Sequence, residues 1–393
     1  MRRIGTEERR ARLARRHRLA AETRAADALT AAGSVVVLHS SDAATVFLSV
    51  RARTARFEVA DLETELYERR SLVRMLAMRR TLWVVPRELV PVVEAACTRT
   101  VAARERKRLE GFVETSGVAR DPVAWLADLG DAALRGVEAR GEAFTSDLSR
   151  DDPLLATKLT LGRPGTRWAT EVGAGARILA LLAAEGRLVR GRPRGGWTHG
   201  QYRWATRASW LGSEPESLDA ADAQAELLRR WLAAFGPATE TDIRWWAGWT
   251  ARETRAALAA VPHEQVELED DVTGYVLADD VAPTSEPEPW VALLPTLDPT
   301  TMGWKERGWY LGPHERVLFD TNGNAGPTVW SDGRVVGGWS QRGDGEIVFE
   351  LLEDVGAERV RAVEAEAARL RDWLGDVRFS PSFLPPFQRS LAT

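Results

Sequence analysis

Leu38-His39-Ser40-Ser41-Asp42 sets an imidazole, two hydroxyls and a carboxylate in consecutive positions. Such a group can orient or deprotonate a water, because an unperturbed imidazole titrates near ~6.5 and exchanges protons close to neutral pH. The chain has only 5 histidines (His17, His39, His199, His263, His314) in 393 residues, so one among hydroxyls and a carboxylate stands out. The plainer reading is that Asp42 and Ser41 cap a helix and His39 fills the turn; the residues alone leave both open. No lysine lies in the cluster, so a Schiff-base route lacks its amine. With the single cysteine Cys97 there is no internal disulfide and no multi-cysteine zinc cluster. A phosphate-binding Walker loop, a dinucleotide fingerprint and a histidine pair at metal spacing are also missing from the sequence. The expectation is therefore chemistry without a metal or cofactor.

The elements that must hold this cluster can be read around it. Val35-Val36-Val37-Leu38 is an apolar run, and Asp42 suits the N-cap of a helix over 42–54. Helices are expected over 6–32, ending at Gly33, and over 60–69. Residues 72–85 read as two tightly joined strands closed by Pro86, and a long helix over 87–112 follows. Helix, helix, hairpin is the order of a winged helix, and it returns twice. The second copy runs from Asp121-Pro122 through helices at 122–140, 144–148 and 171–185 to a Gly-rich, Arg-rich hairpin over 186–199. The third has helices over 220–235, 236–245 and 252–260, with a hairpin of 264–268 and 274–277. Val281 to Pro289 reads as a linker. Short apolar runs from Trp290 to Leu352, punctuated by Gly, Pro, Asn and Asp, predict a small β-barrel, with Ser331-Asp332-Gly333-Arg334 as a hairpin turn. A helix over 356–374 and a Pro-rich tail close the chain.

Charge is unevenly spread behind a net value of −4. Residues 1–120 hold 24 basic and 15 acidic side chains; 186–207 hold six arginines and no carboxylate; 212–292 hold 17 acids and five arginines. Basic patches able to meet phosphates are thus available, although some of these arginines also suit pairing on solvated helices. Arg190, Arg192 and Arg194, with Trp197 and His199, form an arginine-tipped hairpin fit to probe a DNA groove, or a solvated hairpin without a partner. Lys305 and Arg307 are interleaved with Trp304, Trp309 and Tyr310, a pattern that stacks bases and holds phosphates or simply packs a barrel. Trp245, Trp246 and Trp249 read as core. Asp298, in Leu294-Pro295-Thr296-Leu297-Asp298-Pro299, either orders its loop or faces a ligand. No apolar run approaches the roughly 20 residues a bilayer span requires, and the cysteine usage points to a reducing cytoplasm.

Taken together, Leu38-His39-Ser40-Ser41-Asp42, Tyr67-Glu68-Arg69-Arg70-Ser71-Leu72-Val73-Arg74, Met78-Arg79-Arg80-Thr81-Leu82, Leu294 to Pro299 and Gly323 to Trp330 resemble the AlkZ/YcaQ family of bacterial winged-helix DNA glycosylases. The resemblance covers nearly the whole chain. It implies a mainly helical α+β protein, with three tandem winged-helix units around a C-shaped basic cleft and a C-terminal β-barrel. The units would span 1–118, 119–210 and 211–282, followed by 283–393. It also implies a monofunctional, monomeric glycosylase acting on double-stranded DNA with alkylated bases, in repair or in self-resistance to an alkylating genotoxin. Family members set two polar side chains, typically glutamines, on either side of one residue where the base is excised. The matching positions are His39 and Ser41, with Asp42 beside them as a third catalytic candidate. Serine is shorter than glutamine and reaches less far. Arg79, Arg80, Arg190, Arg192, Arg194, Trp197, His199, Asp298, Lys305 and Arg307 become the DNA-contact candidates. The competing class is a winged-helix regulator or lesion binder without catalysis.

Overall fold

Three times along the chain a helix, a short strand, two helices and a hairpin follow one another. The structure, a computed structural model, describes residues 1–162, 169–212 and 218–393. The first unit comprises helix Ala28–Gly33, strand Leu38–His39, helices Ala43–Arg53 and Val59–Glu63, and strands Leu72–Leu76 and Leu82–Pro86. The last strand lies in the middle of the sheet, antiparallel to both the short strand and its hairpin mate. The second unit repeats this with helix Pro122–Arg140, strand Glu142–Ala143, helices Thr145–Asp151 and Ala174–Ala184, and strands Leu188–Pro193 and Tyr202–Thr206. Its last strand is again central. A further pair, Lys158–Leu161 with Thr170–Gly173, precedes its third helix. In the third unit, helices Ala220–Phe235, Glu240–Ala247 and Ala251–Ala260 lead to strands His263–Glu267 and Thr273–Leu277. There the short strand shrinks to one bridge between Ala238 and Tyr275, and Arg2–Arg3 adds in parallel at the other edge.

Local chemistry accounts for most of these boundaries. Asp42, Asp121, Thr239 and Thr250 each accept backbone N–H groups of the helix they start, satisfying donors with no intrahelical partner. Gly248, with φ of 72°, ends the helix of Trp245 and Trp246 in a left-handed turn. The turn Asp332-Gly333 has positive φ at both central residues, as a two-residue hairpin of favoured twist requires.

Several expectations need correction. The N-terminal α-helices cover only Thr6–Arg16 and Ala28–Gly33; between them lies a 3-10 turn at Ala21–Thr23, after which Ala25 bridges to Thr54. The helix expected over 87–112 does start at Arg87, as a 3-10 turn to Leu89, becomes α-helical at Val90, widens to a π-helical turn at Glu94–Thr98 and continues to Ser116. The helix expected from residue 171 starts at Ala174, because Thr170–Gly173 is strand. The C-terminal β unit is not a barrel. It is an open antiparallel sheet of Val291–Leu294, Thr328–Ser331, Arg334–Gln341 and Ile347–Leu351 in that order. Helix Ala357–Leu374 packs against both outer strands.

A continuous hydrophobic core runs through the first and third units and the C-terminal sheet, while a separate cluster fills the second unit. The second unit's hairpin belongs partly to the larger core, to which it contributes Val189, Trp197 and Ala205.

Candidate active site

His39 is the last residue of the short strand of the first unit, and Ser40 N–H still donates to the Leu82 carbonyl at 2.8 Å. Because side chains alternate along an extended chain, His39 and Ser40 serve different surroundings. The imidazole lies against Trp83, ring centroids 4.7 Å apart, and is 3% exposed. Burial, and then the nearby Arg79 guanidinium, push its pKa down to about 3, so the ring is neutral at physiological pH. Ser41 N–H points to Nδ1 at 3.4 Å, a long contact that assigns the ring proton to Nε2. Ser40 Oγ accepts from Arg74 Nε at 2.7 Å. Ser41 is half-buried, and its Oγ receives only a long contact, 3.4 Å, from Leu82 N–H.

Asp42 is committed on both oxygens. Oδ1 accepts from the Thr45 N–H at 3.2 Å, and Oδ2 accepts from Ser382 N–H at 2.8 Å in the C-terminal tail. The carboxylate is the N-cap of helix Ala43–Arg53 and a latch for the tail. Thr45 also donates to the Thr296 carbonyl at 2.8 Å, tying the same helix start to the 294–299 loop.

Beside His39 lies a cationic cluster around one indole. Arg79 sits 3.9 Å and Arg307 5.3 Å from the Trp245 ring, and Arg307 also stacks at 4.5 Å on Phe319. Arg307 is 4% exposed; among the described residues it is ion-paired only with Glu315, at 4.0 Å, and its Nε and Nη1 find no hydrogen-bond partner. Arg79 Nε is likewise unpartnered; burial, and then Arg307, lower its pKa to about 10. Two guanidiniums facing one indole without a firm carboxylate partner form a ready anion site.

The other expected DNA contacts are dispersed. Arg80 is exposed at the turn of the first hairpin and pairs with Glu105 at 2.6 Å. Arg194, exposed, stacks at 4.2 Å on Phe144, and His199 is exposed beside Thr198. Lys305 is exposed while its backbone N–H is held by Asp242 at 2.8 Å. Arg190 is partly buried over Trp204 at 4.5 Å. Arg192 is engaged by Glu63 at 2.5 Å and Glu68 at 3.7 Å, which fastens the second hairpin to the first unit.

Two candidates are fully taken up by partners within the protein. Trp197 is buried between Phe47, at 5.2 Å, and Trp373, at 5.6 Å, so the hairpin expected to probe a groove is anchored by its own tip. Asp298 is fully buried, bound by both nitrogens of the Arg53 fork at 2.7 and 2.9 Å, by the Ser49 hydroxyl at 2.7 Å and by Thr300 N–H at 2.9 Å. It orders the loop and faces no ligand.

Sequence reasoning passed over Arg74, Tyr67, Tyr202, Ser40 as an acceptor, and the tail at Ser382. Arg74 carried a signal: it is a lone charge inside the apolar strand Leu72–Leu76. Trp245, read as core, is instead half-buried beneath the two arginines. Ser382, 340 positions from Asp42, carried none.

A DNA glycosylase AlkZ-like family profile matches residues 32–373, and the chain belongs to that family. Among solved structures, Streptomyces sahachiroi DNA glycosylase AlkZ shares the fold, with TM-score 0.72 and 22% identity over 96% of this chain and 98% of that one. No curated protein matches the chain. Among the described residues, no helix is long and apolar enough to cross a membrane, and no group of three or more His, Cys, Asp or Glu is placed to hold a metal ion.

Proposed function

We propose that this protein is a monofunctional DNA glycosylase that hydrolyses the N-glycosidic bond of bulky N7-alkylated purines in duplex DNA, in repair or in self-resistance to an alkylating genotoxin. The observation that carries this reading is His39: a neutral, oriented imidazole at a strand end, beside an arginine cluster without a firm carboxylate partner, in a chain of the DNA glycosylase family. An N7-alkylated guanine carries positive charge and is already a good leaving group. The enzyme has to steady an oxocarbenium-like sugar and deliver water.

With its pKa near 3, His39 is a poor base at neutral pH. Its role is to hold an oxygen through Nε2–H, that of the attacking water or of the sugar-phosphate. Ser41 Oγ, only loosely engaged, accepts a hydrogen bond from the same water, whose proton passes to solvent once its oxygen has bonded to C1′ and the alkylated base has left as a neutral molecule. Asp42 acts by fixing the loop. Arg79 and Arg307 place a backbone phosphate next to His39, and Arg80, Arg194, His199 and Lys305 add exposed cationic or polar contacts to the duplex. We read the three repeated units as winged helices lining a concave cleft in a monomer. The returning strand is central in the first two units, and in the third it is flanked on its outer side by the single bridge Ala238–Tyr275; this likeness supports that assignment.

The test is base release from duplexes bearing N7-guanine adducts, followed by alkaline cleavage at the abasic site. His39→Ala should abolish release while DNA affinity stays within about two-fold of wild type. Release that persists in the variant would overturn the assignment. The depth of His39, 3% exposed, favours one second reading, a lesion-binding protein without catalysis. That reading expects adduct-selective binding by the wild type with no base release.

A further inference from the structure

On the opposite side of the Leu38–Asp42 segment from the imidazole lies a second arginine cluster that the mechanism above does not use. Arg74, 3% exposed on its apolar strand, donates from Nε to Ser40 Oγ at 2.7 Å and from Nη1 to the Tyr67 hydroxyl at 3.3 Å, and lies 4.3 Å from the Tyr202 ring. Arg190, from the second unit's hairpin, reaches the same place over Trp204, and its Nη1 has no partner. The Tyr202 hydroxyl is also unpartnered, on a residue 8% exposed. Among the described residues no carboxylate bonds or ion-pairs with Arg74 or Arg190. The nearby glutamates Glu63 and Glu68 are taken by Arg192. Burial, and then the like charge of Arg74, lower the pKa of Arg190 to about 10.

Buried arginines are ordinarily paired, and arginines without a carboxylate beside an unsatisfied hydroxyl are costly unless a ligand completes them. The ligand must be anionic, with several acceptor oxygens, because every group presented is a donor or a hydroxyl. It must also lie within reach of Ser40, the residue between His39 and Ser41.

We infer that Arg190, Arg74 and Tyr202 form a phosphodiester subsite that grips one backbone phosphate of the strand carrying the damaged base on the Ser40 side of the segment, and so fixes the register of that strand relative to His39 and Ser41. The inference rests on the DNA glycosylase reading and gives the second hairpin a specific task. Its anchored tip and its tie to Glu63 hold Arg190 in place.

The experiment is a charge-removal scan. Binding is measured on duplexes containing a tetrahydrofuran abasic analogue, with methylphosphonate replacing one phosphate at a time near the analogue. In wild type, one position on the analogue strand should lower affinity about ten-fold or more. In Arg190→Gln that position should lose its sensitivity, and the log–log salt slope of binding should fall by about 1. Tyr202→Phe, which removes only the hydroxyl, should weaken the same position and no other. It gives the same comparison if Arg190→Gln fails to melt cooperatively. Identical scans in wild type and variants would overturn the subsite while leaving the glycosylase reading intact. Wild type that does not bind the abasic duplex at all would overturn both.

Discussion

His39 shows how environment sets the chemistry open to a residue. In the unfolded chain its imidazole titrates near ~6.5; folded, it titrates near 3. His17 is buried too, between the Thr300 hydroxyl at 2.8 Å and the Ala234 carbonyl at 3.1 Å, and its pKa is also depressed. As pH falls below ~6.5 the unfolded chain takes up protons that the folded protein refuses, so stability should fall by about 1.4 kcal/mol per pH unit for each histidine. Urea midpoints measured between pH 7 and 5 should therefore decline, and His39→Gln should flatten that decline. The same depression makes kcat/KM independent of His39 protonation above about pH 5. A rise in kcat/KM with a midpoint near ~6.5 would instead restore a general-base role. Asp298 makes a different prediction. Asp298→Ala strands the fully buried Arg53 charge and should cost about 3–5 kcal/mol in denaturant unfolding, with loss of folded protein at elevated temperature before any specific loss of DNA affinity.

At the scale of elements, helix Ala43–Arg53 holds the site rigid. Its N-cap Asp42 is also the acceptor for the tail at Ser382, its Thr45 holds the 294–299 loop, and its Ser49 and Arg53 hold Asp298. The tail lies beyond residue 373, where the family match ends. Ser382→Pro removes the N–H that Asp42 accepts. Base release should drop while the melting transition stays within a few degrees of wild type; unchanged release would show that the latch does not position the loop. Hairpin Leu188–Pro193 with Tyr202–Thr206 is anchored through Trp197. Trp197→Ala should cost about 3–5 kcal/mol and expose the tip to limited proteolysis near Gly195 and Gly196.

At the scale of the whole molecule, polar and aromatic chains tie the units together. One runs from the Ala234 carbonyl through His17, Thr300, Arg53 and Asp298 to Ser49. Another leads from His39 through Trp83 and Trp246 to Trp231 and Phe235. The acidic surplus of residues 212–292 is partly consumed at such joints, where Asp280 takes Arg12 and Arg16. Despite a net charge of −4, DNA binding should weaken steeply with salt, because Arg79, Arg307, Arg74 and Arg190 lack firm acidic partners. An affinity unchanged between about 50 and 200 mM salt would contradict a phosphate-gripping surface.

Local rules in the chain already determined much of this. The three-fold recurrence of helices and hairpin, the caps at Asp42, Asp121 and Thr250, the Asp332-Gly333 turn and the singular polar segment at His39 all depend on neighbours a few residues apart. Tertiary structure decided the partners. Whether Asp298 meets DNA or Arg53, whether Trp197 probes a groove or fills a core, and whether the C-terminal strands close or stay open depend on groups hundreds of positions away. Burial and charge pairing are properties of the packed interior. Spacing along a chain reports what a residue can do, and desolvation and proximity select among those options.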